Sequence, residues 1–593
     1  MATELAPSLA LGVQRSLTGR RWLWNAGEDH LAQGIAQSLG LPELLGRLLA
    51  ARGADRATAP HFLEPTLRAL LPDPSTLRDM DAAADRLARA VRAGETIGIF
   101  GDYDVDGACS TAVMATTLQA LGCPVLTHVP DRLLEGYGPN APALQRFVAD
   151  GATLVVCVDC GTAAADPLAA IAGQACVVVL DHHKAEGAPP PILATVNPNR
   201  HDCTSGLGHL CAAAIAFLAA VALVRTLRRA GHFATRPEPD LLDLLDLVAL
   251  ATVCDVMPLI GANRAFVAQG LRVMARRARP GIAALLEAAS VTAAPTATHC
   301  GFALGPRINA GGRISDAGLG LRLLLCTDPV LSRALAAQLD SVNQQRQAVE
   351  HGILDEAHAA AAAQADAGRA ALLVYGAGWH PGVVGIVAGR LRERQNRPSL
   401  AGAVADGVVK GSGRSVPGLD LGAAILAARQ AGLLLTGGGH AMAAGFTARL
   451  DQMDALHTFL DDRLASARDL PRAADLPVEA SIAVPGATVD LAEQIARLSP
   501  FGPGNLEPML AVPRARVLKA ERIGKEGNTM RAWVQGEAGG PRLKALLFRA
   551  GDGPLATALA APGAVLHLAG VLRAEAWNGV TSAGFILTDA AAA

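Results

Sequence analysis

Between about residue 96 and residue 183, short apolar runs alternate with stretches of helical length. The runs are TIGIF, PVLTHV, ATLVVCV and ACVVVL, and each ends in polar or glycine-rich residues. Uninterrupted apolar runs of this length are typical of strands buried on both faces, and their alternation with helices predicts βαβ units. The sequence therefore predicts a doubly wound parallel sheet of the α/β class in this part of the chain.

The 593 residues leave room for several domains. We predict a helical N-terminal segment over 1–85, the α/β domain over 86–285, and a substrate-contacting segment with a connecting helix over 286–367. A second αβ domain is predicted over 368–465. The strand-like runs over 475–593, such as TMRAWVQ and RLKALLF, predict a small Greek-key barrel. The connecting helix is expected between about 330 and 367, an Ala- and Gln-rich stretch without proline.

Composition restricts the setting of the protein. No apolar run has the roughly 18 to 20 residues of a membrane span, and the first residues lack a signal-peptide pattern, so we expect a cytoplasmic protein that does not enter a membrane. The 10 cysteines have no regular spacing, and the pair Cys157 and Cys160 has no second CxxC motif, so buried thiols are favoured over a zinc site. A net charge of -2 does not decide the partner.

Acidic and histidine residues follow the predicted buried segments at four places. Ligands of an open parallel sheet gather at the carboxyl ends of its strands. Each group alone would also suit a turn or a helix cap. The groups are Asp102, Asp104 and Asp106 in GDYDVDG, Asp159 in VDCG, Asp181, His182 and His183 in LDHH, and Asp255 in CDVMPL.

Several carboxylates at one sheet edge repel one another and raise one another's pKa unless a cation neutralises them. Carboxylates with one or two imidazoles suit Mn²⁺ or Mg²⁺ better than a thiolate zinc centre does. Two such ions about 3.5 to 4 Å apart can activate a water molecule and stabilise both the attacking and the leaving oxygen in phosphoester hydrolysis. We therefore predict a site for two Mn²⁺ or Mg²⁺ ions, with Asp159 as the candidate bridging carboxylate.

These motifs resemble, in order and spacing, the four motifs of the DHH phosphoesterase family. In that resemblance His183 faces the scissile phosphate and Asp181 orients its neighbour; we assign Asp102 to the same catalytic group. Phe100 stands where small-substrate relatives often carry a histidine, which implies that one metal site is weaker, and Cys160 stands where the family usually has asparagine. The resemblance implies these metal ligands: Asp104, Asp106, Asp159, His182 and Asp255.

A second set of motifs, GWHPGVVGIVAGRL, GSGRS and TGGGHAMAAG, is similar to the DHH-associated C-terminal domain. Glycines let backbone N–H groups approach a phosphate closely, while an arginine binds it as a charged fork. A tight turn between strand and helix would explain the glycines but not the arginine and histidine. The predicted phosphate-binding residues are Ser412, Gly413, Arg414, Gly438, Gly439 and His440.

Three further segments narrow the resemblance to RecJ-type exonucleases: LGPRINAGGRI, the long helix with DSVNQQRQAVE, and LSPFGPGNLEPML. The resemblance covers residues from about 63 to 589. Arg307 and Arg313 are expected to contact DNA phosphates, with Asn309 as a hydrogen-bonding partner. A structural salt bridge for one of the two arginines is the open alternative.

The predicted barrel resembles an OB-fold, which binds single strands through basic groups and stacking aromatic rings. Scattered lysines and arginines suit a solvated face equally well. The candidate contacts are Lys519, Arg522, Lys525, Arg531, Trp533, Lys544, Arg549 and Trp577.

By resemblance, the protein is expected to hydrolyse single-stranded DNA processively from the 5′ end and to release 5′-mononucleotides in recombination and repair. The expected partners are single-stranded DNA, a helicase and a single-strand-binding protein, and a monomer is the default. The 5′ polarity rests on the resemblance alone. Two alternatives stay open: a small-substrate DHH phosphodiesterase that cleaves oligonucleotides or cyclic dinucleotides, and a non-catalytic replication scaffold.

Overall fold

The computed structural model describes residues 8–25, 28–132, 134–184, 187–471, 473–524, 527–577 and 579–593, with the side chain of Trp577 excepted. The chain divides into two compact units. The sheet unit comprises residues 64–347 and 500–506. The composite unit comprises residues 1–63, 348–499 and 507–593.

The strands, in chain order, are β1 (Trp22–Trp24), β2 (Ile97–Gly101), β3 (Val125–His128), β4 (Leu154–Val158), β5 (Cys176–Leu180), β6 (Ala194–Val196), β7 (Leu372–Ala377), β8 (Ser399–Ala405), β9 (Val408–Arg414), β10 (Thr436–His440), β11 (Ala443–Arg449), β12 (Leu476–Val478), β13 (Ala480–Ser481), β14 (Leu510–Ile523), β15 (Thr529–Gly536), β16 (Arg542–Leu547), β17 (Val565–Trp577) and β18 (Val580–Ala592).

The α-helices are α1 (Asp29–Leu39), α2 (Glu43–Ala51), α3 (Ala59–Leu63), α4 (Leu67–Leu70), α5 (Met80–Ala93), α6 (Val105–Ala120), α7 (Ala141–Ala149), α8 (Ala165–Ala169), α9 (Ala212–Arg229), α10 (Leu245–Cys254), α11 (Gly261–Ala275), α12 (Pro280–Ala288), α13 (Ala297–His299), α14 (Gly305–Ile314), α15 (Leu319–Leu325), α16 (Pro329–Asp366), α17 (Val384–Gln395), α18 (Leu421–Gln430), α19 (Met453–Arg463), α20 (Val489–Ala496) and α21 (Pro554–Leu559).

The sheet unit contains a five-stranded sheet of order β3-β2-β4-β5-β6 in which every pairing is parallel. Strands β2 and β4 are buried throughout and β5 is buried except at its first residue, whereas the edge strand β3 is only partly buried. Leu87 and Phe217 belong to the core on the side of α5 and α9, and Leu144 and Leu168 belong to the core on the side of α7 and α8. The predicted doubly wound parallel sheet is confirmed. The strand order reverses between β2 and β4, and a crevice opens at the carboxyl ends of strands on such a reversal.

The composite unit contains a mixed sheet of order β10-β11-β9-β8-β7, in which only β7 and β8 run parallel. The glycine run of TGGGHAMAAG, for which a tight turn is the disfavoured alternative from sequence, forms the edge strand β10, paired with β11 along all five residues. GSGRS lies in and directly after β9. The predicted connecting helix is confirmed as α16, which starts in the sheet unit and ends in the composite unit.

The predicted C-terminal barrel is also confirmed. Strands β14, β15, β16, β18 and β17 pair in that order, and pairing of β14 with β17 closes the barrel. Register shifts occur in β14 between Val512 and Ala515 and between Val517 and Lys519. Such irregularities bend a long strand, which lets β14 pair with both β15 and β17.

Residues 8–24 differ from the helical N-terminal segment that the sequence predicts. Strand β1 pairs in parallel with β12, which leads into the barrel. Trp22 is buried in one cluster with Ala511 and Ala569 of the barrel strands. Its Nε1 donates a hydrogen bond of 2.9 Å to Oδ2 of Asp589, which is fully buried in β18. This part of the N-terminal segment therefore belongs structurally to the barrel.

The ten cysteines are all free, and Cys157 and Cys160 are both buried, as the sequence predicts. Among the residues that the structure describes, no helix is both long enough and apolar enough to cross a membrane.

Candidate metal centre and phosphate-binding surface

The predicted acidic and histidine residues meet at the carboxyl ends of β2, β4 and β5. Asp102 follows β2, Asp159 follows β4 and His182 follows β5, while Asp255 caps the carboxyl end of α10. Three overlapping groups have ligand atoms within 4.8 Å of one another. The groups are Asp102, Asp104 and Asp159; Asp106, His182 and Asp255; and Asp159, His182 and His183.

The donor set fits a metal. Nε2 of His182 lies 3.4 Å from Oδ1 of Asp159, 3.5 Å from Oδ2 of Asp255 and 3.7 Å from Oδ2 of Asp106. Ligands held at about 2.1 Å around one ion lie about 3 Å apart, so a small contraction would bring these atoms to coordination geometry. Oδ1 of Asp102, Oδ1 of Asp159, Nε2 of His182 and Oδ2 of Asp255 are buried without a hydrogen-bond partner among the described residues. Buried polar atoms without partners are costly, and an ion would satisfy them together.

The electrostatics indicate the same requirement for positive charge. Burial and the neighbouring Asp104 raise the pKa of Asp102 to about 8. Burial and the carboxylate of Asp106 raise the pKa of Asp255 to about 9. Burial likewise raises the pKa of Asp159 well above its ordinary value. Without a cation, Asp102 and Asp255 hold protons at neutral pH, whereas a bound divalent ion favours the ionised forms of all three carboxylates.

Backbone N–H groups position part of the cluster. Oδ2 and Oδ1 of Asp106 accept hydrogen bonds from the backbone N–H groups of Ala212 and Ala213, at 2.7 and 2.8 Å, at the start of α9. Asp104 caps α6 by accepting from the N–H of Gly107 at 3.0 Å. Helix N-termini favour negative charge, so these two carboxylates are stabilised in place.

Asp181 orients His183. Its Oδ1 lies 2.8 Å from Nδ1 of His183 and also accepts from the backbone N–H groups of His182 and His183, and Oδ2 accepts from the N–H of Thr162. Burial opposes ionisation of Asp181, but these hydrogen bonds outweigh it and hold its pKa well below the ordinary value. Burial would lower the pKa of His183, but the hydrogen bond with Asp181 raises it to about 9. Nδ1 is thus occupied, which leaves Nε2 for a substrate.

Three polar residues near this pair were missed from sequence. The hydroxyl of Tyr137 donates to the backbone carbonyl of Asp159 at 3.2 Å and lies 3.1 Å from Nδ1 of His183. Nδ2 of Asn197 donates to the carbonyl of His183, and Nδ2 of Asn199 donates to that of His182. These residues follow β3 and β6, so the rule about carboxyl ends of strands would have found them if it had been applied to uncharged residues.

The PRINAGGR segment forms α14 and packs against the GDYDVDG loop. Oδ1 of Asn309 accepts from the N–H of Val105 at 3.2 Å, and a Cβ on Gly312 would lie 2.8 Å from the carbonyl oxygen of Tyr103. Arg307 forms an ion pair of 2.8 Å with Asp340 and also donates to the carbonyl of Ala303. The sequence left open whether one of the two arginines forms a structural salt bridge instead of contacting DNA, and Arg307 forms such a salt bridge.

The predicted phosphate-binding residues divide between two faces of the mixed sheet. Because side chains alternate along a strand, Gly413 and Gly439 point away from the other four. A Cβ on Gly413 would lie 2.7 Å from Cδ2 of Leu421, so this glycine serves packing. The residues of the other face form two cross-strand rows, Ser412–Gly445–Gly438 and Arg414–Ala443–His440; we call these six residues the glycine shelf.

The glycine shelf combines a bare backbone surface with polar side chains. A Cβ added at Gly438 would meet no heavy atom within 4 Å, and one at Gly445 would meet only a carbonyl oxygen at 3.9 Å. Arg414 donates to Oγ of Ser412 at 2.9 Å. A Cβ on Gly385 would lie 3.2 Å from that Oγ, so the first turn of α17 adjoins the shelf. The surface thus offers a helix N-terminus, a guanidinium and a hydroxyl side by side.

On the barrel, Trp533 lies between two lysines. Lys519 of β14, Trp533 of β15 and Lys544 of β16 are directly opposite one another and share a face; the ring of Trp533 is partly exposed. Lys544 pairs with Glu575 at 2.5 Å. Lys519 also lies 3.4 Å from Glu521. Of the other barrel candidates, Arg522 is bonded to Asp552 and backbone carbonyls, Arg531 is paired with Glu521 and Arg549 is exposed. Lys525 and the side chain of Trp577 lie outside the described residues.

Three family models match the chain: the DHH family, N-terminal domain, over residues 96–252, the DHHA1 domain over 368–466 and the RecJ OB domain over 478–589. With the sheet and its carboxylate–imidazole cluster, these matches define a class, the metal-dependent hydrolases of the DHH family.

Individual relatives narrow the class. The single-stranded-DNA-specific exonucleases RecJ of Dickeya dadantii and Escherichia coli are 39% and 37% identical to this chain, over 86% of it and 89% of each relative. RecJ of Thermus thermophilus, solved in complex with Mn²⁺, is similar with a TM-score of 0.80 and 30% identity, over 96% of this chain and 79% of that one. The complex of the same protein with Mg²⁺ is similar with a TM-score of 0.74 and 28% identity, over 96% of this chain and 78% of that one. The chain belongs to the RecJ family.

Proposed function

We propose that this protein is a single-stranded-DNA-specific exonuclease that degrades strands in the 5′-to-3′ direction and releases 5′-mononucleotides during recombination and repair. The observation that carries the proposal is the cluster of carboxylates and imidazoles at the sheet edge, with four buried atoms that have no partner among the described residues. The membership of the RecJ family supplies the substrate class.

We propose that five residues hold two Mn²⁺ or Mg²⁺ ions: Asp104, Asp106, Asp159, His182 and Asp255. Asp159 and His182 each belong to two of the three ligand groups, and of the two it is the carboxylate of Asp159 that has two oxygens with which it could serve both ions. Asp102, proposed from sequence as a catalytic residue, has the surroundings of a further ligand, since its unpartnered Oδ1 lies in a ligand group. When bound, the ions supply water activation and charge neutralisation for phosphodiester hydrolysis.

His183 and Asp181 act as a pair in this proposal. Asp181 fixes the imidazole through Nδ1, and the raised pKa of His183, about 9, keeps a proton on the ring at neutral pH. A protonated imidazole that turns Nε2 toward the scissile phosphate stabilises the negative charge that develops there. The hydroxyl of Tyr137 lies 3.1 Å from the same Nδ1, and its ring packs edge-on against the imidazole, so Tyr137 also restricts the ring.

We propose that the glycine shelf binds a phosphate of the strand. Arg414 and Ser412 supply charged and neutral donors, and the bare strand surface at Gly438 allows a phosphate to approach the backbone closely. His440 lies in the row of Arg414. Gly413 and Gly439 point to the opposite face of the sheet, where the lack of a side chain allows close packing.

Two further regions contact DNA in this proposal. Arg313 of α14 binds a DNA phosphate, while Asn309 positions the GDYDVDG loop through its bond to Val105. On the barrel, the ring of Trp533 stacks on a base, and Lys519 and Lys544 on either side attract the backbone.

A helicase and a single-strand-binding protein are the proposed protein partners, because an enzyme confined to single strands depends on others to expose them. The relatives named above are bacterial, so we propose that the protein acts in the cytoplasm, where bacterial DNA lies.

The test is digestion of a long single strand labelled at either end, in Mn²⁺ or Mg²⁺. The 5′ label is expected to appear at once as a mononucleotide, whereas the 3′ label stays on long products and a blunt duplex is not cut. Asp159→Asn keeps the shape of the ligand but removes its charge, and activity is expected to vanish. Asp150→Asn, at the exposed end of α7, is the matched control and is expected to retain activity.

Other outcomes have defined meanings. Turnover of dinucleotides without digestion of long strands would assign the protein to the small-substrate branch. Binding of single strands without cleavage in either metal would favour a scaffold. Immediate release of the 3′ label would overturn the proposed polarity.

A further inference from the structure

The segment FGPGN lies in a loop, Pro500–Leu506, that belongs to the sheet unit although it is followed by the barrel in sequence. The loop is a tight turn: Gly502 and Asn505 exchange two backbone hydrogen bonds of 2.9 and 3.0 Å. Asn505 is buried, and its Nδ2 donates to the carbonyl of Pro500 at 2.8 Å. Nδ2 therefore ties the two ends of the turn together.

The FGPGN loop lies directly against residues 258–260. The N–H of Leu259 donates to the carbonyl of Pro503 at 2.7 Å. A Cβ on Gly502 would lie 2.8 Å from Cδ1 of Leu259. Gly504 has a φ of 72°, and its Cβ would lie 3.0 Å from Cβ of Pro258. Both glycines are thus needed for the close approach of the loop to this segment.

The contacted segment begins three residues after the proposed ligand Asp255. Between them lies Val256, whose φ of 58° is left-handed, a conformation that β-branched residues rarely adopt. Its side chain is 65% exposed, so packing of that side chain contributes little to holding the turn. Such strain persists only where the surrounding structure imposes it. The turn is closed by the C-terminal cap of α10, in which the N–H groups of Val256 and Met257 donate to carbonyls of the last helical turn at 3.2 and 3.1 Å. The chain that leaves this cap is held by the loop bond to Leu259 and by the bond of 3.0 Å from Nδ2 of Asn263 to the carbonyl of Pro258.

Hydrogen bonding of its own carboxylate does not fix Asp255. Oδ2 has no hydrogen-bond partner among the described residues, although it lies 3.5 Å from Nε2 of His182. Its position therefore depends on the backbone at the end of α10 and on the strained residue that follows.

We propose that the FGPGN loop is a positioning element for the metal site: by holding Pro258 and Leu259 it keeps the chain in the left-handed cap at Val256 and so maintains the position of the Asp255 carboxylate. This inference rests on the proposed role of Asp255 as a metal ligand. Asn505 is then a positioning residue for the metal site.

The test is Mn²⁺ titration of the full-length protein without DNA, by calorimetry. Asn505→Asp keeps the size of the side chain but directs an oxygen at the carbonyl of Pro500. We expect Mn²⁺ binding at one site to weaken about 10-fold, as for other residues that support metal ligands. Asn396→Asp is the matched control, because Nδ2 of Asn396 also donates to a proline carbonyl, that of Pro471, within the composite unit. It is expected to bind Mn²⁺ like wild type.

A double variant distinguishes a specific effect on the position of Asp255 from a general loss of order in the FGPGN loop. If the strain at Val256 displaces Asp255 once the loop is weakened, Val256→Gly relieves it, and Asn505→Asp with Val256→Gly is expected to recover most of the lost affinity. Wild-type Mn²⁺ affinity in Asn505→Asp, or no recovery in the double variant, would overturn the inference. Should Asn505→Asp fail to fold, Gly504→Ala, which pushes on Pro258, is titrated instead with the same expectation.

Asp255→Ala distinguishes failure of this inference from failure of the metal assignment. If Asp255→Ala weakens Mn²⁺ binding and Asn505→Asp does not, the metal site stands and the positioning role is wrong. If Asp255→Ala binds Mn²⁺ like wild type, the proposed ligand set itself is wrong, and the positioning role fails with it.

Discussion

The substitution Gly438→Ala tests whether the glycine shelf binds a phosphate of the DNA strand. Gly438 lies in the edge strand β10 opposite Gly445, and an added Cβ would meet no heavy atom within 4 Å. Folding therefore does not require glycine at this position. Alanine in a strand is favoured over glycine by about 0.5–1 kcal/mol. The variant is expected to have a Tm equal to or slightly above that of the wild type.

The effect on DNA should be opposite. If a phosphate lies on the bare strand surface, the new methyl group occupies the space that it needs. Forcing a methyl group into a close contact costs about 1–3 kcal/mol, which is roughly 5- to 150-fold in affinity. Binding is measured by fluorescence anisotropy of a 5′-phosphorylated single strand in the Asp159→Asn background, where cleavage is absent, and kcat/KM is measured without that background change.

Gly439→Ala is the matched contrast. Gly439 has a φ of 148°, and a Cβ there would lie 2.5 Å from the carbonyl oxygen of Ala443. Folding requires this glycine, so we expect a loss of about 1–3 kcal/mol in the free energy of unfolding. Wild-type kcat/KM and DNA affinity in Gly438→Ala, together with a destabilised Gly439→Ala, would refute the ligand role of the shelf and leave only the packing role of its glycines.

Three other perturbations have defined outcomes. Asp181→Asn removes the charge that raises the pKa of His183, so a histidine NMR titration should show that pKa falling from about 9, with kcat reduced about 10- to 100-fold. In metal-free protein the pKa values of Asp102 and Asp255, about 8 and 9, exceed their unfolded values near 4. The folded state thus binds more protons than the unfolded state, and the Tm of the metal-free protein should fall as pH rises from about 5 to 9. Added Mn²⁺ should raise Tm most at the alkaline end of this range. Asp255→Asn should make the Tm of the metal-free protein depend less on pH. Asp589→Ala leaves a buried indole N–H unsatisfied, so urea denaturation should show a loss of about 1–3 kcal/mol with unchanged Mn²⁺ affinity.

The sheet edge was predictable because its signals are local. Apolar runs of five residues followed by aspartate or histidine identify both the strands and their carboxyl ends, and parallel strands align those ends without further information. The proposed ligands Asp159 and His182 are therefore brought together by the topology that the same runs predict. Tyr137 and Asn197 follow the two edge strands β3 and β6, and a rule restricted to acidic and histidine side chains omits them.

Other features were not predictable because they depend on contacts distant in sequence. β1 pairs with β12, more than four hundred residues away, and a three-residue run such as Trp22–Trp24 has no periodicity of its own. Three consecutive glycines disfavour a strand, yet Gly437–Gly439 form one because β11 supplies the hydrogen bonds and α18 packs closely against them. Likewise, the association of residues 500–506 with the sheet unit has no local signal.

The proposed ligands differ in what holds them. Asp104 accepts a hydrogen bond at the start of its own helix α6, so its position is a local property of that helix. Asp106 is held by two N–H groups at the start of α9, 106 and 107 residues further along the chain. Asp159 and Asp255 have carboxylate oxygens without partners, and left-handed backbone occurs at Asp159 itself, with a φ of 60°, and at Val256 beside Asp255. A carboxylate placed by strained backbone moves when whatever imposes the strain is loosened. Substitutions that loosen the chain around Asp159 and Asp255 should therefore affect these two ligands and spare Asp104 and Asp106, because the latter two carboxylates are held by hydrogen bonds of their own.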